Sequence, residues 1–469
     1  MTLFRENSAL RTEERDRFRM LIEQAPLGVY ETSRDFYRPI PASTQPILVS
    51  DKTWRDLQKD ARHILIAAEK ICKYLQRNLQ DAIDHPLFSG LSPLEKQAAR
   101  GAFGANSGLA TARLDLFFDD DDLSVIEINS TIPAMQAYSD MIRSAYFSAR
   151  QAPSHPIAGS NSKDLLISLL QHYEQTGGTN SKPRLAIVAR RGDSQRAELL
   201  WLQTQWQEEG YETWLVTPDE IELKDQQVWV QSTPMDFIYR HIFVHRLAPD
   251  SPFAIACSQS QVYRVFNPIA AHLETKSLFA ELSRLAADDA LSEEAGLNAE
   301  EQSAVQRRVT WSRILDQGPT LSPDGERIDD FMLWLKHHSQ DVVIKSSLGY
   351  GGNGVVLGDS FASSSTQERI RQLFQLDHEL SWEQFLDLCL KSGPGQWIVQ
   401  RKMSGRRQRH TFLAGGQWVE QDTYIDCSIF SNSGVAHVPS GGAVRFSSDA
   451  IVNIGQGGGL APLLLASEI

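Results

Sequence analysis

Hydrophobic residues recur at helical spacing through much of the region 50–112. The apolar positions that mark one face are Leu57, Ile64, Leu65, Ile71 and Leu75. Because residues three, four and seven apart lie on the same side of an α-helix, this spacing predicts helices with one buried face. We expect these helices to pack beneath the hydrophobic segment that follows in the chain.

A second pattern, in which short apolar runs alternate with a helical stretch, begins after the loop 176–183. A polar stretch at 159–162 and one predicted helix precede this loop, which we interpret as a domain boundary. The pattern consists of a strand at 184–189, a helix at 194–209, a strand at 211–216 and a strand at 237–240. Such alternation predicts a small parallel sheet, that is, a Rossmann-like lobe without a glycine fingerprint.

Alternation at a spacing of two residues marks the segment 113–129. The alternating positions are Leu114, Leu116 and Phe118, followed by Val125, Glu127 and Asn129. This pattern predicts two β-strands joined by the turn Asp119–Asp122, with Asp115 opposite Glu127.

The polar face of this hairpin carries hard oxygen ligands. Magnesium prefers near-octahedral oxygen coordination with one or two carboxylates and phosphate oxygens, so Asp115, Glu127 and Asn129 suit a magnesium nucleotide better than zinc. Arg113 lies on the same strand face as Asp115, where it could contact the charge that moves. The alternative is an ordinary solvated hairpin with acids on its polar face.

Residues 341–358 form a β-run that ends in Lys345, a loop with four glycines and a second β-run. The loop consists of Gly349, Tyr350, Gly351, Gly352, Asn353 and Gly354. Glycine lets backbone N–H groups approach phosphate oxygens and adopts positive φ without Cβ strain. We therefore predict a flap over nucleotide phosphates.

Two other interpretations of this loop must be weighed. Gly349, Gly351 and Gly354 also satisfy the dinucleotide pattern G-x-G-x-x-G, but that pattern must open a helix, whereas β-branched Val355 and Val356 follow here. A plain hairpin turn usually needs only two residues. A flap between antiparallel strands fits the sequence better than either.

The stretch from Arg113 to Pro133 resembles the D-alanine ligase branch of the ATP-grasp superfamily, because Glu127-x-Asn129 leaves a strand into a polar turn. The resemblance implies that Arg113 stabilises a transferring phosphate of ATP. It also implies that Asp115, Glu127 and Asn129 hold Mg²⁺, and that Ser130 contacts substrate.

The order of these motifs is reversed relative to ordinary ATP-grasp chains, because Glu127 comes long before Lys345. This order resembles the circularly permuted branch, which includes glutathione synthetase and glutathionylspermidine synthetase. The segment ending in Lys276 resembles the one that carries the first phosphate-contacting lysine. The run Trp397–Met403 resembles the strand whose main chain pairs with adenine, through Val399, Gln400 and Arg401, although a glutamate is usual where Gln400 stands.

The C-terminal part resembles the closing region of the same branch. By this resemblance Arg445 clamps a substrate carboxylate, for which its guanidinium fork suits it better than Lys402. A surface ion pair on a strand is the alternative. We interpret Gly457, Gly458 and Gly459 as a mobile lid near the substrate. One departure stands out: glutathione synthetase keeps a metal-binding glutamate where this chain has Leu348 and Gly349, so Asp115 would serve instead.

The last strand of the Rossmann-like lobe offers candidate substrate contacts. Asp236, Tyr239 and Arg240 lie in or beside it, and open α/β sheets bind ligands at strand ends. In permuted ligases such a lobe helps to hold the acceptor. A strand-end salt bridge is the alternative.

Composition narrows the class of protein. A net charge of −13 over 469 residues disfavours nucleic acid and anionic membranes as partners. The four cysteines are far apart and form no C-x-x-C, so we expect them to be reduced and mostly in the core. The start of the chain lacks the apolar core of a signal peptide, and no run of about eighteen apolar residues occurs. We expect a cytoplasmic protein.

Together these patterns predict an α/β protein with a circularly permuted ATP-grasp fold and a small parallel-sheet substrate lobe. The predicted domains are residues 1–180, 181–255, 256–415 and 416–469. The resemblance implies an ATP- and Mg²⁺-dependent ligase that joins a small carboxylate to an amine, such as an amino acid, peptide or polyamine. A phosphotransferase on the same scaffold and a non-catalytic ATP-binding regulator stay open, as does a homodimer.

Overall fold

The computed structural model describes residues 9–78, 86–88, 90–101, 109–119, 122–152, 160–435 and 441–468. The helices are α1 Thr12–Gln24, α2 Asp51–Asn78, α3 Pro93–Gly101, α4 Gln136–Ala149, α5 Asn161–Gln175, α6 Arg196–Glu208, α7 Pro252–Ser258, α8 Ser260–Tyr263, α9 Lys276–Leu285, α10 Asp289–Glu294, α11 Ala299–Arg308, α12 Phe331–His337, α13 Ser364–Phe374 and α14 Trp382–Lys391.

The strands belong to several sheets. They are β1 Gly28–Glu31, β2 Phe36–Pro39, β3 Ala42–Ser43, β4 Ile47–Val49, β5 Thr111–Asp119, β6 Asp122–Asn129, β7 Leu185–Ala189, β8 Thr213–Val216, β9 Ile221–Lys224, β10 Gln227–Val230, β11 Thr233–Met235, β12 Phe237–His241, β13 Val265–Phe266, β14 Ser312–Ile314, β15 Thr320–Leu321, β16 Arg327–Ile328, β17 Val342–Ser346, β18 Val355–Leu357, β19 Trp397–Arg401, β20 Arg406–Ala414, β21 Gln417–Asn432, β22 Gly442–Ser447, β23 Gly459–Ala461 and β24 Leu463–Leu465.

A seven-stranded sheet in the order β20-β3-β23-β22-β21-β5-β6 forms the largest layer. Within it β5 and β6 are antiparallel, and Asp115 lies opposite Glu127, which confirms the predicted pairing. On its other edge β5 pairs with β21, so that Asp115 also lies opposite Ser428. The predicted turn is described only at its ends, because residues 120–121 lie outside the described part.

A four-stranded parallel sheet in the order β13-β12-β7-β8 confirms the predicted Rossmann-like lobe. Both β7 and β12 are buried along their whole length. Strands with both faces covered are often continuous apolar runs, as β7 is, and this explains why its sequence predicted a strand.

A second four-stranded sheet, in the order β14-β19-β17-β18, is antiparallel throughout. Strand β17 ends beside Lys345, and β18 returns antiparallel to it directly after the glycine-rich loop. No helix opens there, so the dinucleotide interpretation is excluded and the predicted loop between antiparallel strands is confirmed. We call residues 349–354 the flap; its contact with phosphates stays a prediction.

The predicted helical region 50–112 contains α2, a 3₁₀ turn at Pro86–Phe88 and α3, but its last residues already belong to β5. Residues 79–85 and 102–108 lie outside the described part. Leu57, Ile64 and Ile71 share one core with Leu114 and Phe118 of the hairpin, as predicted, whereas Leu65 is only partly buried.

All four cysteines are buried and free, which confirms their predicted place in the core. Burial raises the pKa of the Cys72 and Cys257 thiols to about 12. Across the described ranges, no helix combines the length and the apolar character needed to cross a bilayer. The domain boundaries stay a prediction.

Candidate functional site

A cavity of about 820 Å³ lies where the three main sheets meet. The hairpin β5–β6 contributes Arg113, Asp115, Glu127 and Asn129 to its wall, and β22 contributes Arg445. Lys345 and the loop residues 349–353 line it from the antiparallel sheet, and the loops after β7 and β12 line it from the parallel-sheet lobe. The structure therefore brings together motifs that are more than two hundred positions apart in the chain.

Asp115 is held by two arginines in a buried network. Arg113 donates to both carboxylate oxygens, from Nε at 2.7 Å and Nη2 at 3.0 Å, and Arg445 donates to Oδ2 at 3.1 Å. The Ser428 hydroxyl donates to Oδ1 at 2.9 Å. Burial alone would raise the pKa of Asp115, but the two guanidinium charges outweigh it and hold the pKa well below the usual range.

Asp426, which the sequence analysis did not single out, completes this network. Arg445 donates to it from Nε at 2.9 Å and from Nη2. Burial raises the pKa of Asp426 to about 6, against the lowering effect of Arg445. We call Arg113, Asp115, Asp426 and Arg445 the acid–arginine network. No local motif marks Asp426; only its place across from Arg445 on β21 and β22 reveals it.

This network changes the predicted role of two residues. The Nε and Nη2 groups of Arg445 are bonded to the carboxylates of Asp426 and Asp115, so in this conformation that edge of the guanidinium does not face a substrate carboxylate. Asp115 is likewise bonded on both oxygens. Among the predicted metal ligands, only Asp115 is held by several hydrogen bonds in this way; the side chains of Glu127 and Asn129 are not.

Two lysines lie near the hairpin; Lys345 lines the cavity and Lys276 does not. Lys276 begins α9; its Nζ donates to the Gly349 carbonyl at 2.7 Å and lies 3.6 Å from Glu127 Oε1. Lys345 is 6% exposed, and within the described ranges its ammonium makes no hydrogen bond or ion pair. Burial lowers the pKa of Lys345 to about 8, partly offset by the charge of Glu127.

The glycine-rich loop is folded tightly against its own strands. A Cβ on Gly349 would lie 2.2 Å from the Asn353 carbonyl oxygen, and Gly354 adopts φ +73° with the Ser346 side chain 2.6 Å from where its Cβ would stand. At the tip, the Asn453 amide donates to the Gly351 carbonyl. Only glycine fits at positions 349 and 354, which explains why glycine occurs at both.

Tyr350 joins this flap to two other parts of the wall. Its ring centroid lies 4.4 Å from that of Phe243 in the parallel-sheet lobe. Its hydroxyl donates to Glu274 Oε1 at 3.3 Å. The flap therefore rests on the lobe through an aromatic contact and on a buried carboxylate through a hydrogen bond.

Glu274 is a second residue that the sequence analysis passed over, although it stands two positions before Lys276. Its other oxygen accepts from the backbone N–H groups of Ser130 and Thr131, at 3.0 and 2.8 Å. Burial raises the pKa of Glu274, while these bonds oppose the change. One carboxylate thus connects the segment after Asn129 to the flap.

Strand β19 leaves little free main chain for a ligand. The Gln400 side chain donates to the Ile126 carbonyl at 3.2 Å and to Ser312 Oγ at 3.0 Å, so it has a structural role. The N–H of Arg401 donates to the carbonyl of Trp311, just before β14, and the N–H of Lys402 donates to the carbonyl of Asp341, just before β17. Gln400 and Arg401 line the cavity, whereas Val399 is buried behind it. Met403 and Ser404, which follow the strand, also line the cavity.

The predicted substrate residues lie elsewhere. Tyr239 packs in the core, and Arg240 donates all its bonds to the carbonyls of Asn267, Ile242 and Pro268. Ser130 is buried and donates to the Ala270 carbonyl. None of these three lines the cavity.

Neither the three glycines of the predicted lid nor Asp236 lines the cavity. Gly457, Gly458 and Gly459 do not line the cavity; Gly459 begins the buried strand β23, and the preceding residues Asn453 and Gly455 are the ones that reach it. Asp236 lies 3.8 Å from Arg184 and accepts from its backbone N–H, which confirms the alternative of a strand-end salt bridge.

The residues present fit a polyphosphate better than a fully formed metal cage. The glycine flap, Lys345, whose ammonium has no hydrogen bond in the described ranges, and the Asn129 amide nitrogen, which is buried without a hydrogen-bond partner, all face the same space. In the described ranges no three His, Cys, Asp or Glu side chains gather as a metal site. Glu127 and Asn129 offer two of the oxygen ligands that Mg²⁺ takes, and Mg²⁺ bound with a nucleotide draws the rest from phosphate and water.

Neither a protein-family model nor a curated protein matches this sequence. A solved structure of a glutathione synthetase-like effector from Globodera pallida, in its apo form, aligns with a TM-score of 0.60 over 98% of this chain and 99% of that chain, at 10% identity. A protein from Methylobacillus flagellatus, provisionally named a gamma-glutamylcysteine synthetase, covers 86% of this chain and 85% of its own at 11% identity, but with a TM-score of only 0.39. The first alignment shows that this chain has a mixed α/β fold like that of the glutathione synthetase-like protein.

Proposed function

We propose that this protein is an ATP-dependent carboxylate–amine ligase of the circularly permuted ATP-grasp type. The observation that carries the proposal is the meeting of Lys345 and the glycine flap with Glu127 and Asn129 around one cavity. Lys276 does not line the cavity, but it bonds the Gly349 carbonyl and lies 3.6 Å from Glu127. The fold shared with a glutathione synthetase-like protein supports it. So does the chain order, in which the acidic hairpin precedes the lysine strand.

The proposed reaction has two steps. A carboxylate oxygen of the first substrate attacks the γ-phosphorus of ATP, and ADP leaves with the electrons of the broken P–O bond. The nitrogen of an amine then attacks the acyl carbon, phosphate departs with the C–O bond electrons, and the amine loses a proton. The products are an amide, ADP and phosphate.

The lysines and the flap have the clearest roles in this scheme. Lys345 and Lys276 would neutralise phosphate charge, since phosphoryl transfer depends chiefly on positioning and on electrostatic stabilisation. The flap would cover the phosphates and exclude water from the activated acid. Met403, which lines the cavity just after β19, would offer main-chain groups for adenine.

The hairpin would supply the metal ligands. Glu127 and Asn129 would hold Mg²⁺, which when bound neutralises charge on the phosphates. Asp115 acts through Arg113 in this proposal: it fixes the guanidinium beside the place where phosphate charge develops. That differs from the sequence prediction, in which Asp115 itself was a metal ligand.

A non-catalytic nucleotide-binding regulator is the second candidate, and one observation favours it. Asp115 is fully bonded to two arginines and a serine, so a predicted metal ligand is engaged elsewhere. This candidate predicts nucleotide binding without turnover.

Magnesium-dependent phosphate release from ATP distinguishes these candidates. The full chain is assayed with pools of amino acids, γ-glutamyl peptides and polyamines, and any active pool is analysed by mass spectrometry. Release that requires both an acid and an amine, with a condensed product, supports the ligase; a stable phosphorylated product indicates a phosphotransferase. ATP binding with no release in any pool indicates the regulator.

Glu127→Gln serves as the active-site control for this assay. It removes one negative charge from a partly exposed side chain whose only described ion pair is with Lys276, so the fold should be preserved. Release that persists at the wild-type rate in this variant would count against the site.

A further inference from the structure

Four apolar side chains line one part of the cavity, beside the start of α4. Val29 belongs to β1, Met135 and Tyr138 lie at the start of α4, and Ile454 lies in the loop before β23. Met135, Tyr138 and Ile454 belong to one hydrophobic core cluster, and Val29 packs against it. These four side chains therefore form one connected surface, which we call the apolar wall.

Two polar groups of the apolar wall are bonded to other parts of the protein. The backbone N–H of Met135 donates to the buried carboxylate of Glu198 at 2.9 Å. The Tyr138 hydroxyl donates to the Gly28 carbonyl at 2.6 Å. A polar side chain placed against this wall would lose its water without gaining bonds to these groups, and such a loss is costly.

A polar loop at residues 193–195 adjoins the apolar wall. It contacts β1, because the Tyr30 N–H donates to the Ser194 carbonyl at 2.9 Å. Within the loop, Ser194 Oγ donates to Gln195 Oε1 at 3.1 Å, and Asp193 accepts from the Gln195 N–H at 2.9 Å. The loop therefore forms a polar rim and leaves the wall itself apolar.

The apolar wall borders the place proposed for phosphoryl transfer. Arg113 donates from Nη1 to the Ala134 carbonyl at 2.9 Å, and Ala134 directly precedes Met135. In the proposed reaction the Arg113 guanidinium lies beside the developing phosphate charge. The carboxylate that reacts is then close to this wall, and the side chain of the same acid is positioned to contact it.

We propose that the apolar wall binds the side chain of the reacting acid, and that this side chain is aliphatic or aromatic. The proposal rests on the proposed function, because it names the class of acid that the same site activates. It favours an acid with the side chain of leucine, methionine or phenylalanine over one with the side chain of asparagine, glutamine or serine. Burial stabilises a large apolar side chain there, whereas an amide would be desolvated.

Adenine is the other apolar group that this cavity would receive. The proposed adenine contact, Met403, follows β19, and Val343 and Leu357 line the cavity from the same antiparallel sheet. The apolar wall belongs instead to β1, α4 and the loop before β23, and Arg113 adjoins it. The adenine and the acid side chain are therefore assigned to different parts of the cavity.

Hydroxylamine trapping tests the proposal in the full chain with Mg²⁺ and ATP. The nitrogen of hydroxylamine attacks the acyl carbon of the acyl phosphate, phosphate leaves with the electrons of the C–O bond, and the nitrogen loses a proton. The hydroxamate that forms identifies the activated acid without knowledge of the natural amine. The acids are amino acids and γ-glutamyl dipeptides in matched pairs, such as leucine against the similarly shaped asparagine. We expect kcat/KM to be roughly 5- to 150-fold higher for the apolar member of each pair.

Variants identify the residues. Val29→Thr adds a hydroxyl at almost unchanged volume, and it should narrow the leucine-to-asparagine ratio about 2- to 10-fold and leave the KM for ATP unchanged. Met135→Asn should narrow the ratio further, because it presents an amide at φ +84°, a conformation that asparagine tolerates. Val262→Thr is the matched control, because Val262 is 46% exposed on α8 and does not line the cavity. It should behave as the wild type.

The outcomes separate this proposal from the proposed function. If hydroxamates form equally from both members of the pairs, or form faster from the polar members, the wall assignment is overturned and the ligase stands. The same holds if Val29→Thr keeps the wild-type ratio. If the variants raise the KM for ATP and leave the preference among acids unchanged, the wall binds adenine and the proposal is also overturned.

If no acid gives a hydroxamate and no pool gives turnover, the ligase proposal fails and binding decides. Leucine and asparagine are then titrated calorimetrically into the protein with Mg²⁺ and ADP. Tighter binding of leucine by the wild type and by Val262→Thr, with a smaller preference in Val29→Thr, supports the apolar wall. Equal binding of the two, or binding of neither, overturns it.

Discussion

The acid–arginine network and the lysine–flap region, that is, Lys345 with the loop residues 349–353, line the same cavity but differ in how far their charges are paired. In the network, each carboxylate of Asp115 and Asp426 is bonded to a guanidinium, and Arg445 is shared between them. Across the cavity Lys345 is as deeply buried, yet no anion contacts its ammonium in the described structure. Burial of an unpaired charge is costly unless something binds it.

This difference predicts which wall of the cavity binds an anionic ligand. The network is complete by itself, so it acts as a scaffold that fixes Arg113 and the hairpin. The lysine–flap region is incomplete by itself, so a polyphosphate would be stabilised there. Mutations on the two sides should therefore have opposite signatures, with loss of stability on one and loss of turnover on the other.

Asp426→Asn should give the largest effect on stability. It removes one charge of a buried pair and leaves Arg445 short of a partner, which typically costs about 3–5 kcal/mol of unfolding free energy. Urea unfolding measures the change. Glu420→Gln is the control, because its pair with Arg409 is exposed and worth at most about 1 kcal/mol. A loss below 1 kcal/mol for Asp426→Asn would show that the network is not the scaffold described here.

Lys345→Met should give the largest effect on turnover. Removing one group that stabilises developing charge commonly lowers kcat by about 10²–10³-fold. The ATP-free protein should be at least as stable as the wild type, because methionine removes a buried charge that has no partner. Phosphate release measures the expected loss of kcat, and thermal unfolding measures the stability of the ATP-free variant. A variant that retains kcat would move the phosphate site away from this lysine.

The pH dependence of the unfolding free energy should show that Lys345 is an unpaired buried charge. Burial lowers the pKa of Lys345 to about 8 in the folded chain, against 10.5 ordinarily. Between these values the unfolded chain binds the proton that the folded chain has lost, so this residue makes stability rise with pH, by up to about 3 kcal/mol. Below pH 8 both states are protonated and the penalty is complete. The difference between wild type and Lys345→Met, measured by urea unfolding from pH 7 to 10, should shrink across this window, and saturating ATP should reduce it at every pH.

Tyr350→Phe should give the smallest effect. It removes the hydroxyl that donates to Glu274 but keeps the ring on Phe243, so the flap loses one hydrogen bond worth about 0.5–1.5 kcal/mol. We expect a several-fold increase in the KM for ATP and an unchanged unfolding free energy. Tyr350→Ala, which removes both contacts, should have the larger effect; equal effects would mean that the ring contact contributes nothing.

The sequence predicted those parts of the site that are local. The alternation at 113–129 and the glycines after Lys345 each lie in one stretch of chain, and the structure confirms the strand pairing of both. Asp426 and Ser428 escaped prediction because Asp426 meets Arg445 only through the register of β21 with β22, and Ser428 meets Asp115 only through the register of β21 with β5. No periodicity encodes that register.

The part of the cavity formed by the parallel-sheet lobe shows a second limit of prediction from sequence. Tyr239 and Arg240 were candidates because polar residues at a strand end suggest a ligand, but β12 is an inner strand buried on both faces. Arg240 satisfies its donors with main-chain carbonyls instead. The residues that do face the cavity, Arg190 and Arg246, stand in the loops just beyond the parallel strands, where a short charged loop carries no distinctive pattern.

The pairing of β5 with β21 also has a consequence for biosynthesis. Ser428, which bonds Asp115, leaves the ribosome 313 residues after it. At about 5–20 residues per second, one edge of the hairpin would wait roughly 15–60 s for its partner strand. An apolar strand with an unpaired edge is an aggregation hazard during that interval. Yield in cells should therefore depend on elongation rate and on chaperones that shield nascent strands, and truncation before residue 417 should leave the hairpin insoluble.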